Sequence, residues 1–154
     1  MNAKWDEINA IHNAGYAVVA LVLGVPVLTV WMEADGDPFG GCCRAQAQDS
    51  KSEVLIKFAG VGAELIFREF RGWSLLFTSS GRGDWLEAQA YLDSIGGNRK
   101  ALIRDMKSEV TQLLKDNWTS VLAVAQKLRE QRCLGFYEVA SLVPSCICSK
   151  EEAA

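Results

Sequence analysis

The first third of the chain changes from a helical hydrophobic repeat to a strand-like run. Apolar side chains recur three or four residues apart from position 8 to position 22, which predicts a helix over residues 5–23 that ends at Gly24. Pro26 prevents the helix from continuing, and the β-branched segment VLTVWME that follows predicts a strand. Turn-forming residues then lead to GCCRAQ, a short return strand, so we expect a small β-hairpin after the first helix.

Helical patterns dominate the rest of the chain. Ser50 and Glu53 have the spacing of a capping box at the start of an apolar repeat. The pattern predicts, in order, a helix over residues 51–70, a loop over 71–83, a helix from Asp84 to Gly96, one long amphipathic helix over 98–132, a short helix over 135–143 and a loose tail over 144–154. We therefore expect one domain, 1–154, of the mainly α (α+β) class, with an ordered core over about 5–143.

Composition and charge exclude several classes of partner. The chain has 154 residues and a net charge of −3, and no basic stripe is interleaved with aromatic residues, so nucleic acid is not an expected partner. The longest apolar stretch, Ala17 to Met32, is too short to span a bilayer and is interrupted at Pro26. Five cysteines and no basic N-terminal region predict reduced thiols in a cytoplasmic protein without a transmembrane segment.

The candidate chemistry lies around the only histidine of the chain. The segment HNAGY, residues 12–16, has the spacing of His-Glu-x-x-His, in which two imidazoles one turn apart bind zinc and the glutamate activates the metal-bound water. Tyr16 replaces the second imidazole, and a phenol is a poor zinc ligand at neutral pH. Asn13 replaces the glutamate, and a carboxamide does not accept a proton as a carboxylate does. Without further information, a lone histidine on an apolar helix is more often a core residue than a ligand.

Five segments, taken in order, resemble the peptidase domain of the FtsH family of membrane-anchored, ATP-dependent zinc metalloproteases. They are AIHNAGYAVVALVLG, VLTVWMEADGDPFGGCC, FAGVGAELIF, SSGRGDWLEAQAYL and LLKDNWTSVLAVAQKLREQRCLGFYEV. The resemblance implies a zinc-metallopeptidase-like helical domain with His12 and Asp84 at two metal-ligand positions. It also places Glu64 at the family's acidic position, as a candidate that supports the ligands. Because Asn13 and Tyr16 depart from the family's base and second ligand, the resemblance implies the fold but argues against the activity.

Simpler interpretations exist for the two acidic residues. Asp84 followed by Glu87 is also the pattern of a helix N-cap, and Glu64 is also one turn from Arg68, as in a solvated ion pair. We favour these interpretations from the sequence alone. If the fold is nevertheless as the resemblance implies, a hydrogen bond between His12 and Asp84 would raise the pKa of the histidine.

Three functions remain open, and the first is favoured. It is a non-catalytic peptidase-like domain, a pseudopeptidase, that binds or scaffolds a partner protein or peptide and is not expected to hold the zinc of the family. The second is an active metal-dependent hydrolase with altered ligands: His12, Asp84 and one of the adjacent Cys42 and Cys43, only one of which can face a cleft from a strand. The third is a helical oligomerisation domain, a homo-oligomer or the partner of a separate ATPase, because no G-x-x-x-x-G-K-[ST] motif is present in this chain.

Overall fold

A computed structural model of the chain describes residues 3–32, 40–69 and 79–144. Within these ranges it has six helices and one three-stranded antiparallel sheet. The elements are α1 (Ala3–Val22), β1 (Val27–Trp31), β2 (Gly41–Arg44), α2 (Ser50–Phe67), α3 (Ser79–Ile95), α4 (Arg99–Asp116), α5 (Trp118–Gln131), β3 (Cys133–Gly135) and α6 (Phe136–Ala140). The predicted mainly α class with a small hairpin after the first helix is confirmed. No described helix is both long enough and apolar enough to cross a membrane.

The core is built around the contact between α1 and α2. A Cβ on Gly15 would lie 2.7 Å from the Ala59 carbonyl oxygen and equally close to the Cβ of Ala63, so only hydrogen fits between the two helices there. Close-packed interiors allow such an approach only where the facing residues are small. α1 also packs against α5, and α2 packs against α3 and α4. The polar residues of α1 are therefore held close to those of α2 and α3.

The sheet contains a strand that the hydrophobic pattern did not predict. Its order is β2-β1-β3, and Val30 at its centre faces Cys42 on one side and Leu134 on the other. β3 has only three residues, too few for a two-residue alternation to be recognised. It forms because α5 ends at Arg132, whose backbone has a positive φ of 67° and whose carbonyl oxygen accepts a hydrogen bond from Met32.

The single long helix predicted over residues 98–132 is wrong, because Asn117 divides it into α4 and α5. The Asn117 side-chain amide donates to the Leu113 carbonyl oxygen at 2.9 Å, and the Asn117 backbone N–H donates to the same oxygen at 3.2 Å. An asparagine side chain that bonds to nearby backbone competes with helix continuation. Only one residue separates the two helices, so the apolar repeat continues across the break and hides it in the sequence.

Two predicted helix starts also differ. Asp49 caps α2, with its Oδ1 accepting from the Ser52 N–H at 2.8 Å, so Ser50 is not the cap. α3 begins at Ser79, which corrects the predicted loop over 71–83 and places Asp84 inside the helix and not at its N-cap. Residues 70–78, the hairpin turn at 33–39 and most of the predicted tail, 145–154, lie outside the described residues.

A buried ion pair attaches the return strand to α2. Arg44 donates from Nη1 and Nη2 to the two Glu53 carboxylate oxygens, at 2.9 and 2.5 Å, and the Ala47 N–H donates to Glu53 Oε1 at 2.6 Å. Burial disfavours the charge on Glu53, but these hydrogen bonds outweigh it and lower the pKa of the carboxyl. Glu53 thus fixes the end of β2, although the sequence indicated only a capping role.

We expect Glu53→Ala to lower the free energy of unfolding by about 3 kcal/mol or more, because it leaves the Arg44 guanidinium buried without its partner. Urea denaturation followed by circular dichroism measures the change. Glu109→Ala is the matched control: it breaks the exposed Lys51–Glu109 pair (2.7 Å) and should cost less than about 1 kcal/mol. Equal losses in the two variants would contradict the structural role of Glu53.

Candidate functional site

A polar cavity of about 240 Å³ lies where α1, α2, α3 and β2 meet. Polar and charged side chains from all four elements surround it. They include Asn9, His12, Asn13 and Tyr16 of α1, Cys42 and Arg44 of β2, Lys57 of α2 and Asp84 of α3, with Gly40 and Gly41 completing the wall. The residues predicted from the HNAGY segment and Asp84 therefore come together in one site.

His12 lies between two carboxylates in this site. Its Nδ1 donates to Glu64 Oε1 at 2.5 Å, and its Nε2 is 3.6 Å from Asp84 Oδ2. The side chain of His12 is only 12% exposed. Burial alone would lower the pKa of the ring, but the hydrogen bonds and negative charges of Asp84 and Glu64 outweigh burial and raise it to about 9. The ring is therefore an imidazolium at neutral pH, with a carboxylate next to each nitrogen.

The sequence of α2 makes room for this ring. A Cβ on Gly60 would lie 2.5 Å from His12 Nε2, so the imidazole rests directly on the α2 backbone. Glu64 is one turn further along the same face and meets Nδ1 from there. Glu64 is 4% exposed, so the expectation of a solvated pair with Arg68 is wrong. The Gly-x-x-x-Glu spacing was the sequence signal for this contact.

Tyr16 lies one turn after His12 and contacts it edge to face, with 5.0 Å between the ring centroids. Tyr16 also lies near the Asp84 carboxylate, and both residues line the cavity. Burial, and then the negative charge of Asp84, raise the pKa of this phenol well above its ordinary value. Tyr16 is consequently a neutral phenol beside Asp84 and the imidazole.

Asn13 occupies the position where a general base would be expected. It is 3% exposed, and its amide nitrogen donates to the Asn9 carbonyl oxygen of its own helix at 3.0 Å. A carboxamide in this arrangement supplies a donor to the helix and has no basic atom with which to take a proton from water.

Sequence reasoning missed Arg44, Lys57 and Asn9 as residues of the cavity. Arg44 is held by Glu53, and Lys57 forms an ion pair with Glu87 of α3. Arg44 and Lys57 come from separate elements, and no spacing in the sequence connects them to His12. Asn9 is one turn before Asn13 on the same face of α1, so its spacing could have identified it. Of the two adjacent cysteines, Cys42 lines the cavity, while the side chain of Cys43 lies outside the described residues.

The donor groups of this site do not fit the zinc that the resemblance implies. At the three positions where the family has two imidazoles and a carboxylate, this chain has the imidazole of His12, the neutral phenol of Tyr16 and the carboxylate of Asp84. Among the described residues, no group of three or more His, Cys, Asp or Glu side chains is arranged to hold a metal ion. The polar contacts of the site can instead orient a bound molecule by hydrogen bonds and charge.

Comparison with known proteins does not assign the chain to a family: no family model matches it, and no curated protein matches it either. The likeness to the FtsH peptidase domain remains a prediction from five segments of the sequence. The site is therefore interpreted from its own geometry.

We expect the histidine to stabilise the protein in a pH-dependent way. Below pH 6.5, the ordinary pKa of the ring, the imidazole is protonated in both the folded and the unfolded chain, and its ion pairs contribute in full. Between 6.5 and about 9 the unfolded chain loses the proton first, so the stabilisation by about 3 kcal/mol is lost as the pH rises. Urea denaturation measures the free energy of unfolding of the wild type and of His12→Gln. The difference between the two proteins should become smaller as the pH rises from 6.5 to about 9.

The same pKa is directly measurable, because the chain has a single histidine and thus a single imidazole Hε1 signal. Proton NMR should give a titration midpoint near pH 9. A midpoint near 6.5 would show that the two carboxylates do not surround the ring in solution.

Gly60→Ala should displace the imidazole, because the new methyl group would occupy its position on α2. We expect a loss of about 2 kcal/mol in the free energy of unfolding and a lower midpoint of the His12 titration. Gly83→Ala in α3 is the control, since a Cβ there meets no atom within 4 Å. That substitution should be neutral or stabilise the helix by up to about 1 kcal/mol. If the two variants had the same free energy of unfolding and the same His12 titration midpoint, the imidazole would not rest on the α2 backbone at Gly60.

Proposed function

We propose that this chain is a non-catalytic domain with a zinc-metallopeptidase-like fold, and that the cavity beside His12 binds an extended segment of a partner polypeptide. The observation that carries this proposal is the state of the only imidazole. Its Nδ1 donates to Glu64 and its Nε2 is 3.6 Å from Asp84, so both ring nitrogens face carboxylates of the protein itself.

The neighbouring side chains support the same proposal. Burial and the nearby charge of Asp84 raise the pKa of the Tyr16 phenol and keep it neutral, and the Asn13 amide donates to the backbone of α1. Water activation requires a Lewis acid or a basic side chain next to the attacking oxygen. Tyr16 and Asn13 stand where a peptidase has its second metal ligand and its base. These two residues supply neither a bound Lewis acid nor a basic side chain.

The sheet gives the cavity a suitable binding edge. Of the described strands, β2 lies at one edge of the order β2-β1-β3, and its Gly41, Cys42 and Arg44 line the cavity. An extended peptide can add to such an edge through main-chain hydrogen bonds, with side chains entering adjacent pockets. The cavity next to β2 offers a guanidinium, an ammonium and a carboxylate for a polar side chain of such a peptide.

One observation favours the alternative function, a hydrolase with altered ligands. Cys42 lines the same cavity as His12 and Asp84, and a thiolate is a good zinc ligand. Such a site would require His12 to give up its Nε2 proton and accept a metal ion between Nε2 and Asp84, while its Nδ1 keeps the contact with Glu64. The metal content of the purified protein separates the two functions.

The decisive experiment compares the wild type with Asn13→Glu/Tyr16→His, which restores His-Glu-x-x-His at residues 12–16. After dialysis against zinc, metal analysis should find less than about 0.1 zinc per chain in the wild type and about one in the double variant, where two imidazoles and Asp84 share one face of the site. Stoichiometric zinc in the wild type, with chelator-sensitive cleavage of a peptide, would overturn the proposal. Absence of zinc from a folded double variant would refute the metallopeptidase-like fold.

Peptide binding is tested by blocking the cavity. In a chain whose other cysteines are serines, we would attach a bulky maleimide to Cys42 and measure the anisotropy of fluorescein-labelled β-casein, an unstructured polypeptide. We expect the protein without maleimide to bind β-casein without cleaving it. The protein that carries the maleimide on Cys42 should no longer bind it. The matched control carries the same label on Cys133, which is exposed on β3 at the other edge of the sheet. Equal binding by both labelled proteins would place the interaction elsewhere.

A further inference from the structure

α4 separates its charges onto two sides of one helix. Residues three, four, seven or eight positions apart share a helix face, whereas a shift of one or two residues turns the side chain away. Four cations share one side: Lys100, Arg104, Lys107 and Lys115. Three acids follow on the adjacent side: Asp105, Glu109 and Asp116. This concentration of positive charge contrasts with the net charge of −3 of the whole chain.

The four cations, together with Ile103 and Thr111, border a shallow, open region of about 620 Å³ on the surface of this one helix, which we call the α4 groove. From Lys100 to Lys115 the helix rises by about 22 Å, or roughly four turns. All of these residues lie within α4, which is continuous α-helix from Arg99 to Asp116. The groove therefore has the length of a short helix lying along α4.

The acids beside the groove already have partners within the protein, and some of the cations do not. Glu109 pairs with Lys51 of α2, and the Gln112 amide donates to Asp116 at 2.7 Å. Arg104 and Asp105 form a highly exposed pair between neighbouring residues, which contributes little. Neither Lys100 nor Lys115 forms an ion pair with another described residue. The groove therefore keeps an uncompensated positive potential at both of its ends.

We propose that the α4 groove is a docking surface for an acidic helix of a partner protein, whose carboxylates lie opposite Lys100, Arg104 and Lys115. Charge complementarity of this kind steers association and fixes the register of the two helices. A helix with acidic residues three or four positions apart matches the spacing of these cations.

The acidic side of α4 decides between a helix and other polyanions. A lipid surface or a nucleic acid presents negative charge over its whole width, so it would also face Asp105, Glu109 and Asp116 and be repelled. A helix can place its carboxylates in one narrow stripe and avoid them. The residues lining the groove include no aromatic ring for base stacking, and Ile103 is the only large apolar side chain among them for insertion into lipid.

Fluorescence anisotropy tests the proposal with a labelled, alanine-based helical peptide of about 20 residues that carries glutamates in one stripe. We expect saturable binding to the full chain that weakens as salt is raised, because exposed charges are screened. Lys100→Glu/Lys115→Glu should weaken binding at least about tenfold. The matched control, Lys4→Glu/Lys127→Glu, makes the same change in net charge away from the groove and should leave the affinity within about twofold.

Three results would overturn the proposal. One is equal weakening in both double variants, which would show attraction to net charge only. Another is equal affinity for a peptide of the same composition with its glutamates scattered around the helix. The third is preferential binding of phosphatidylserine vesicles or an RNA duplex over the striped peptide. Circular dichroism checks that the variants fold. None of the four substituted lysines lines the His12 cavity, so a negative result for the α4 groove would leave the proposed function of that cavity unaffected.

Discussion

The described fold is organised around a buried imidazolium that is shared by three helices. His12 comes from α1, the carboxylate at its Nδ1 comes from α2 and the carboxylate at its Nε2 comes from α3. A buried positive charge is stable only when negative groups replace the water it has lost. The three helices must therefore keep this arrangement for the ring to stay charged. The glycines of α1 and α2 at Gly15 and Gly60 make it sterically possible.

That constraint also determines what the cavity can do. Both ring nitrogens of His12 face carboxylates of the protein, and the residue one turn further along α1 is a phenol and not a second imidazole. The same carboxylate that faces the ring also lies near the neutral Tyr16 phenol, and the Asn13 amide donates to the backbone of its own helix. A network of this kind suits recognition, because its donors and acceptors are fixed before a partner arrives.

The two proposed binding surfaces differ in their chemistry and lie on different elements. The His12 cavity is small, is bordered by a strand edge and contains charges of both signs. The α4 groove is longer and carries cations from a single helix. An extended segment suits the first surface because a strand edge offers backbone hydrogen bonds, and a helix suits the second because its carboxylates can match the spacing of the cations. The two surfaces share no lining residue, so each can be changed without altering the other.

The sequence by itself determined the features that depend on neighbouring residues: the first helix and the hairpin strands follow from local periodicity and turn chemistry. It also marked His12, Asn13, Tyr16, Glu64 and Asp84 as the residues of interest, through spacing and resemblance. Only the tertiary structure decided what these residues do. β3 requires a partner strand about a hundred residues earlier, and Glu64 binds His12 instead of a neighbour on its own helix. Such contacts depend on which elements pack together, and no local pattern contains that information.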